Sequence, residues 1–304
     1  MKSLSSLSNY LSIFFLAAYF PFIQAETLNT NSGISFSVIQ TAESSGTLEA
    51  LIVDEGSFFN VRKLVHNAIL VKHPKGDFLW DSGIGREIED QMADFSFIEK
   101  QLFSIENIKP ARDQLDDAGY SADELKFIIP SHMHWDHASG LEDFNGVPVL
   151  VQENSLKEAM AGKPPGFIAS QYDSPEINWQ TLTLNDINYE GFDKSLDIFA
   201  DGSSVLVDLS GHTHGHLGLF LNLKNGKRYL FIGDTTWAVL GVEKNKSRPG
   251  FLKWFLNVDT DYNKNAQVID QLHKFQKGNS NVVIVPAHDE LQQENLPHFP
   301  NFSQ

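Results

Sequence analysis

The hexapeptide His132-Met133-His134-Trp135-Asp136-His137 places three imidazoles and one carboxylate within six residues, directly after the apolar run Phe127-Ile128-Ile129-Pro130. Neutral imidazole nitrogen and carboxylate oxygen are the donors that zinc and similar first-row cations accept. Spacing sets which of them act together. On an extended backbone, residues two apart project to the same side, so His132 and His134 can grip one ion. Asp136 and His137 lie past the bend, where they can reach a second. Histidine is scarce in this chain, 11 of 304 residues, so so dense a run weighs for a metal site over an ordinary polar loop.

Other elements must bring further donors to the same place. Val205-Leu206-Val207-Asp208-Leu209-Ser210 reads as a strand and leads into Gly211-His212-Thr213-His214-Gly215-His216. Tyr229-Leu230-Phe231-Ile232 leads into Gly233-Asp234, and Val282-Val283-Ile284-Val285 into Pro286-Ala287-His288. Each candidate donor follows the carboxyl end of a short β-rich run. Strands aligned in sheets would bring those ends to one rim, where loops on a rigid scaffold commonly build active sites.

The blocks HxHxDH, Gly-His-Thr-x-Gly-His, Gly-Asp and Pro-Ala-His, in that order, resemble the metallo-β-lactamase-fold hydrolase superfamily. The resemblance covers essentially all of the chain after its first ~25 residues, a leader length typical of signal peptides. It implies an α/β protein: an αββα sandwich of two mixed sheets face to face, flanked by helices. By position it implies that His132, His134 and His212 bind one metal, that Asp136, His137 and His288 bind another, and that Asp234 bridges the two. Asp81, in Phe78-Leu79-Trp80-Asp81-Ser82-Gly83, matches an early strand-end aspartate that supports the metal-binding loop from behind. Two divalent cations, zinc foremost, about 3.5–4 Å apart would share a water and lower its pKa towards about 7. Asp136 and Asp234 are the expected catalytic carboxylates, with Asp136 orienting the attacking water or accepting its proton. Ser131 and Ser210 read as structural, since no serine nucleophile is required. His214 and His216 read as loop residues behind the donors. His66, His73, His273 and His298 read as structural or surface residues.

Within the superfamily the motifs stand nearest to N-acyl-homoserine lactonases and glyoxalase-II-like hydrolases, which implies a lactone or related ester as substrate. Zinc β-lactamases generally lack a bridging aspartate, and one large group places a cysteine in the second site; this chain has Asp234 and no cysteine. β-Lactam or thioester hydrolysis is the alternative within the fold. An iron-dependent redox enzyme is the alternative of another class, separated by metal identity because zinc does not change oxidation state. One position departs from the lactonase pattern. Trp237 stands three residues after Asp234, where many lactonases have a tyrosine, and an indole is only a donor. Tyr172 and Tyr262 are the candidates to supply a phenol from a neighbouring loop.

Residues 1–25 carry one charge, Lys2, and an apolar stretch from Leu11 to Ile23 ending in Ile23-Gln24-Ala25. That is the layout of a secretory signal peptide, and it is shorter than the ~20 residues that span a bilayer. The expected organisation is a signal peptide at 1–25 and one hydrolase domain at 26–304. Export to the periplasm or beyond, with no stable membrane insertion after cleavage, follows as an expectation. With no cysteine, stability cannot depend on disulfides, and metals are the candidates for extra stabilisation. The formal net charge of −16 repels phosphate backbones and argues against a nucleic-acid partner.

Two packing helices are predicted. One runs from Asn107 through Gly119, with Ile108, Ala111, Leu115 and Ala118 on one face; the other runs from about Asn263 to Gln276, with Val268, Ile269, Leu272 and Phe275 at helical spacing. Three connections are rich in apolar residues: Gln91 to Phe103, Pro164-Pro165-Gly166-Phe167-Ile168, and Pro249 to Leu256. At the rim of a metal site they would line a pocket for a small molecule with an apolar portion; the alternative is that they pack on the core.

Overall fold

The computed structural model describes residues 33–256 and 258–303, so the predicted leader at 1–25 lies outside the described residues. The chain enters through β1 (Ser35–Ser44) and forms a small antiparallel pair from β2 (Thr47–Leu48) and β3 (Val61–Arg62). It continues through β4 (Val65–Lys72), β5 (Asp77–Trp80), β6 (Ile105–Glu106), β7 (Leu125–Ile129), β8 (Pro148–Val151) and β9 (Asn178–Thr181). Outside the small pair, these strands make one mixed sheet in the order β6-β1-β4-β5-β7-β8-β9, antiparallel as far as β5 and parallel from there. A second mixed sheet follows in sequence order from β10 (Ser195–Asp197), β11 (Ser204–Asp208), β12 (Leu217–Asn222), β13 (Arg228–Phe231) and β14 (Val282–Val285). Only its last pair is parallel.

The near-continuous apolar strands are explained by burial on both faces. In the first sheet, Phe36, Val38, Ile69, Val71, Phe78, Trp80, Phe127 and Ile129 point into the space between the sheets. Their alternating neighbours Ile39, Leu70, Leu79 and Ile128 point outward, onto Ala111, Leu115, Ala138 and Ala159 of the flanking helices. In the second sheet, Leu206, Leu219 and Phe231 face inward, while Val205, Val207, Phe220 and Leu230 pack on Val268, Leu272 and Phe275. The result is the four-layer αββα sandwich that the sequence implies.

The helix Tyr262–Gly278 matches its prediction and buries Val268, Ile269, Leu272 and Phe275. His273, expected at the surface, is instead half-buried, with Nδ1 2.8 Å from the Val242 carbonyl oxygen. The earlier helix is shorter than predicted, Ala111–Asp117. Ahead of it, β6 pairs with the end of β1, Asn107 turns at φ +54° and Lys109 N–H donates to Thr41 O at 2.7 Å, so the chain is held out of the helix up to Pro110. Ile108 and Ala118 are accordingly exposed, and Tyr120 takes the buried position beyond the helix.

Candidate metal centre

The donors lie where the strands end. Ser131 to His137 follow β7, with Trp135–Ala138 forming one helical turn; His212 follows β11, Asp234 follows β13 and His288 follows β14. Leu217 N–H to Ser131 O at 2.9 Å ties the first of these loops to the second sheet, and Ala287 N–H to Gly233 O at 3.0 Å ties together the loops after β13 and β14. Gly233 adopts φ +49°, and a Cβ built there would stand 2.4 Å from His216 Nε2. This turn requires glycine to aim Asp234 at the rim.

All seven predicted donors meet there and are buried or nearly so. His132 Nε2 lies 3.1 Å from His134 Nδ1 and 3.2 Å from His212 Nε2. Asp234 Oδ1 lies 2.9 Å from His288 Nε2 and 3.2 Å from His137 Nε2, while its Oδ2 is 3.7 Å from His212 Nε2. Asp136 Oδ2 is 3.2 Å from His288 Nε2 and 3.6 Å from His137 Nε2. Three donor groups therefore draw together, each with its ligand atoms within 4.8 Å: His132, His134 and His212; His132, His137 and Asp234; and Asp136, His288 and a residue not predicted, His66.

Most of the rings are oriented from behind. His137 Nδ1 lies 2.9 Å from Asp81 Oδ2, His212 Nδ1 2.8 Å from Asp259 Oδ1, and His288 Nδ1 2.7 Å from the Val65 carbonyl oxygen. Those oxygens only accept, so each Nδ1 carries a proton and each ring turns its Nε2 inward. His132 Nδ1 rests on Ser131 Oγ at 3.0 Å. Lone pairs brought this close repel unless a cation or a proton sits between them. His137 Nε2 and Asp234 Oδ1 are indeed buried without an aligned hydrogen bond. The donor set fits a divalent cation, the chemistry its residue types imply.

The electrostatics agree. Burial opposes a charge on His137, but Asp81, Asp136 and Asp234 outweigh it and hold the ring well above its usual pKa. His288 is raised in the same way, Asp234 and Asp136 overcoming burial. Burial, reinforced by neighbouring rings, pushes His132 well below its usual value and His134 down to about 3. Asp136 stays ionised against burial through His137 and His66, and Asp234 through His288 and His137. In the metal-free chain, the carboxylates thus favour a proton on His137 and on His288, where positive charge is called for between them.

Other predicted residues divide clearly. Asp81, at φ +58°, accepts Ser131 N–H at 2.6 Å as well as meeting His137, and supports the loop as expected. Ser131 and Ser210 are tied into local hydrogen bonds, Ser210 to Asp208. His216 is fully buried and receives Asp234 N–H at 3.3 Å; His214 is exposed and pairs with Glu158. His73 stacks on Phe199 and meets Asp201, and His298 meets Gln293 O. Tyr172 is buried with its hydroxyl donating to the Met133 carbonyl, which removes it as a phenol for the site, and Tyr262 is not part of the cavity wall. His66, read as a structural or surface residue, lies at the site instead of the surface: second in β4, it is 6% exposed and sets Nδ1 3.1 Å from Asp136 Oδ2. Asp259 and Arg248, which hold His212 and Asp234, were also missed; neither carries a motif, and only the fold brings them behind the donors.

Above the donors lies a cavity of about 290 Å³. Leu51, Leu64, Phe103, Leu252, Leu256 and Val258 give it apolar walls, and Asp136, His212, Asp234 and His288 form its floor. The apolar connections split between the two roles considered for them. Phe95 packs on Trp135 and Phe103 at 6.1 and 6.2 Å, and Phe167 packs on the His134 ring at 4.8 Å. Leu102, Phe103, Pro165, Leu252 and Leu256 face the cavity.

The sequence model of the Metallo-beta-lactamase superfamily matches residues 61–288. The N-acyl homoserine lactonase AttM of Rhizobium radiobacter is 25% identical over 240 residues, which cover 77% of this chain and 85% of that protein. AiiA of Bacillus thuringiensis subsp. kurstaki, also an N-acyl homoserine lactonase, is 25% identical over 191 residues, covering 60% and 68%. A solved N-acyl homoserine lactone hydrolase, with the product N-hexanoyl-L-homoserine at its catalytic metal centre, has a similar fold: TM-score 0.68, 19% identity, 88% of this chain and 98% of that one. The dizinc quorum-quenching lactonase AidC aligns with a TM-score of 0.54 at 16% identity, over 89% and 90%. With that family match over most of its length, and with the αββα sandwich to go with it, the chain belongs to the metallo-β-lactamase superfamily.

Proposed function

We propose that this protein is a metal-dependent hydrolase that opens lactones, N-acyl-homoserine lactones being the class that best fits the site. The observation that carries the reading is the ring of inward-facing imidazole and carboxylate donors beneath an apolar cavity. In this reading His132, His134 and His212 would hold one divalent cation and Asp136, His137 and His288 the other, with Asp234 within reach of both groups. Zinc is the preferred ion for such donors. When bound, the pair supplies a nucleophilic water at neutral pH and polarises the scissile carbonyl.

The chain's own groups do the rest. Leu252, Leu256 and Val258 bind the acyl chain and keep water from it. Asp136, its Oδ2 steadied by His66, is placed to take a proton from the attacking water and return it to the ring oxygen as the lactone C–O bond breaks. The product is an acyl amino acid bearing a free hydroxyl. The layout of residues 1–25 supports an exported enzyme as part of the same proposal. The test is turnover of N-hexanoyl- and N-decanoyl-homoserine lactone beside a β-lactam, a thioester and an aryl ester. Lactones should be opened with the highest kcat/KM; turnover of the β-lactam or thioester alone would overturn the assignment.

A further inference from the structure

Trp237 occupies the position of a tyrosine in the lactonases this chain resembles, and its contacts give it a different task. Its indole Nε1–H donates to Asp234 Oδ2 at 2.8 Å. An indole nitrogen only donates and an ionised carboxylate only accepts, so the direction of this bond is fixed. The ring also lies on the buried Arg248, whose Cζ is 4.6 Å from the ring centroid. That guanidinium donates from Nη1 to Asp259 Oδ1 at 2.8 Å and from Nη2 to the Asp234 carbonyl. Asp259 in turn receives His212 Nδ1 at 2.8 Å. One connected set thus fixes Asp234 at its backbone and its carboxylate, and His212 at its outer nitrogen. Oδ2 is the Asp234 oxygen on the His212 side; Oδ1 faces His137 and His288.

We propose that Trp237 is a positioning residue of the metal centre: its indole N–H holds Asp234 Oδ2 as a ligand toward the His132, His134 and His212 side, in place of a hydroxyl that reaches the substrate. The inference rests on the metal centre proposed above. With its N–H engaged, Trp237 offers the cavity only its apolar ring. Losing the N–H while keeping a ring therefore loosens the cation at that corner and lowers kcat, and leaves KM nearly unchanged.

The experiment compares zinc-loaded wild type with Trp237→Phe and Trp237→Tyr, by zinc loss to a competing chelator and by kinetics on one acyl-homoserine lactone. Trp237→Phe should release one zinc about 10–100-fold more readily, the usual effect of removing a partner of a metal ligand, with kcat reduced. Trp237→Tyr, which restores a donor, should recover part of the loss. Wild-type zinc retention in Trp237→Phe, or an effect confined to KM, would overturn the proposal. Should Trp237→Phe not fold, the wild-type protein decides: the Trp237 indole N–H resonance should move when zinc is withdrawn, and an unmoved resonance overturns the proposal. A wild-type protein that takes up no zinc would end the metal-centre reading itself, and this inference with it.

Discussion

Asp234 is where the two sides of the centre meet, one oxygen toward His137 and His288 and the other toward His212. Asp234→Asn keeps the shape and removes the charge. It should cost at least one bound metal and reduce turnover by more than the roughly 10–100-fold typical of a supporting residue, measured by metal analysis and initial rates. His66 is such a supporting residue. His66→Phe should lower kcat by about 10–100-fold while the protein keeps its metal, because Asp136 retains its other partners but loses the donor that steadies Oδ2; an unchanged kcat would show that His66 is only a wall. His137 and His288 supply a pH dependence. Nearby carboxylates raise both rings above the usual imidazole value, so in the metal-free chain each holds a proton more tightly than a free imidazole does, and a cation must displace it. Metal affinity should therefore rise with pH through the range above 6.5, with proton release on binding, as calorimetry in buffers of different ionisation heat would show. Affinity that falls with rising pH would contradict the assigned ligands.

At the scale of elements, the strand-to-loop junctions do the positioning. Gly233→Ala would force a Cβ onto His216 in a left-handed turn, a conformation that costs an L-residue roughly 1–2 kcal/mol before the clash is counted. A lowered melting temperature and a weakened metal centre are expected together. The short helix Gly250–Phe255 brings Leu252 to the cavity. Each added methylene of an acyl chain buried there should contribute about 0.8 kcal/mol, about fourfold in kcat/KM, and Leu252→Ala should flatten that dependence. The same elements show what the sequence can reveal. The donors were legible because each follows an apolar strand and the motif spacing is local. The helix after Pro110 was read too long because the pairing of β6 with β1, a contact between distant residues, competes for its first turn. His66, Asp259 and Arg248 were not legible for a similar reason: their partners Asp136, His212 and Asp234 lie 70, 47 and 14 residues away.

Across the whole molecule, two sheets converge their strand ends on one rim, where the buried carboxylates of Asp136 and Asp234 face imidazole rings rather than lysine or arginine side chains. A cation that binds only the folded chain should stabilise it by about 2.7 kcal/mol at a hundredfold excess over its Kd. Among the described residues no helix is long and apolar enough to cross a membrane, and the chain has no cysteine, so stabilisation by metal is not masked by disulfides. Chelation should therefore lower the melting temperature reversibly. The central claim, a two-metal centre that opens lactones, is tested most directly by adding zinc stepwise to the metal-free protein. Bound zinc and the rate on N-hexanoyl-homoserine lactone are followed together. Activity that rises with zinc and levels off at two ions per chain is the expected result. Full activity without metal, or two bound ions with no lactone opened, would contradict it.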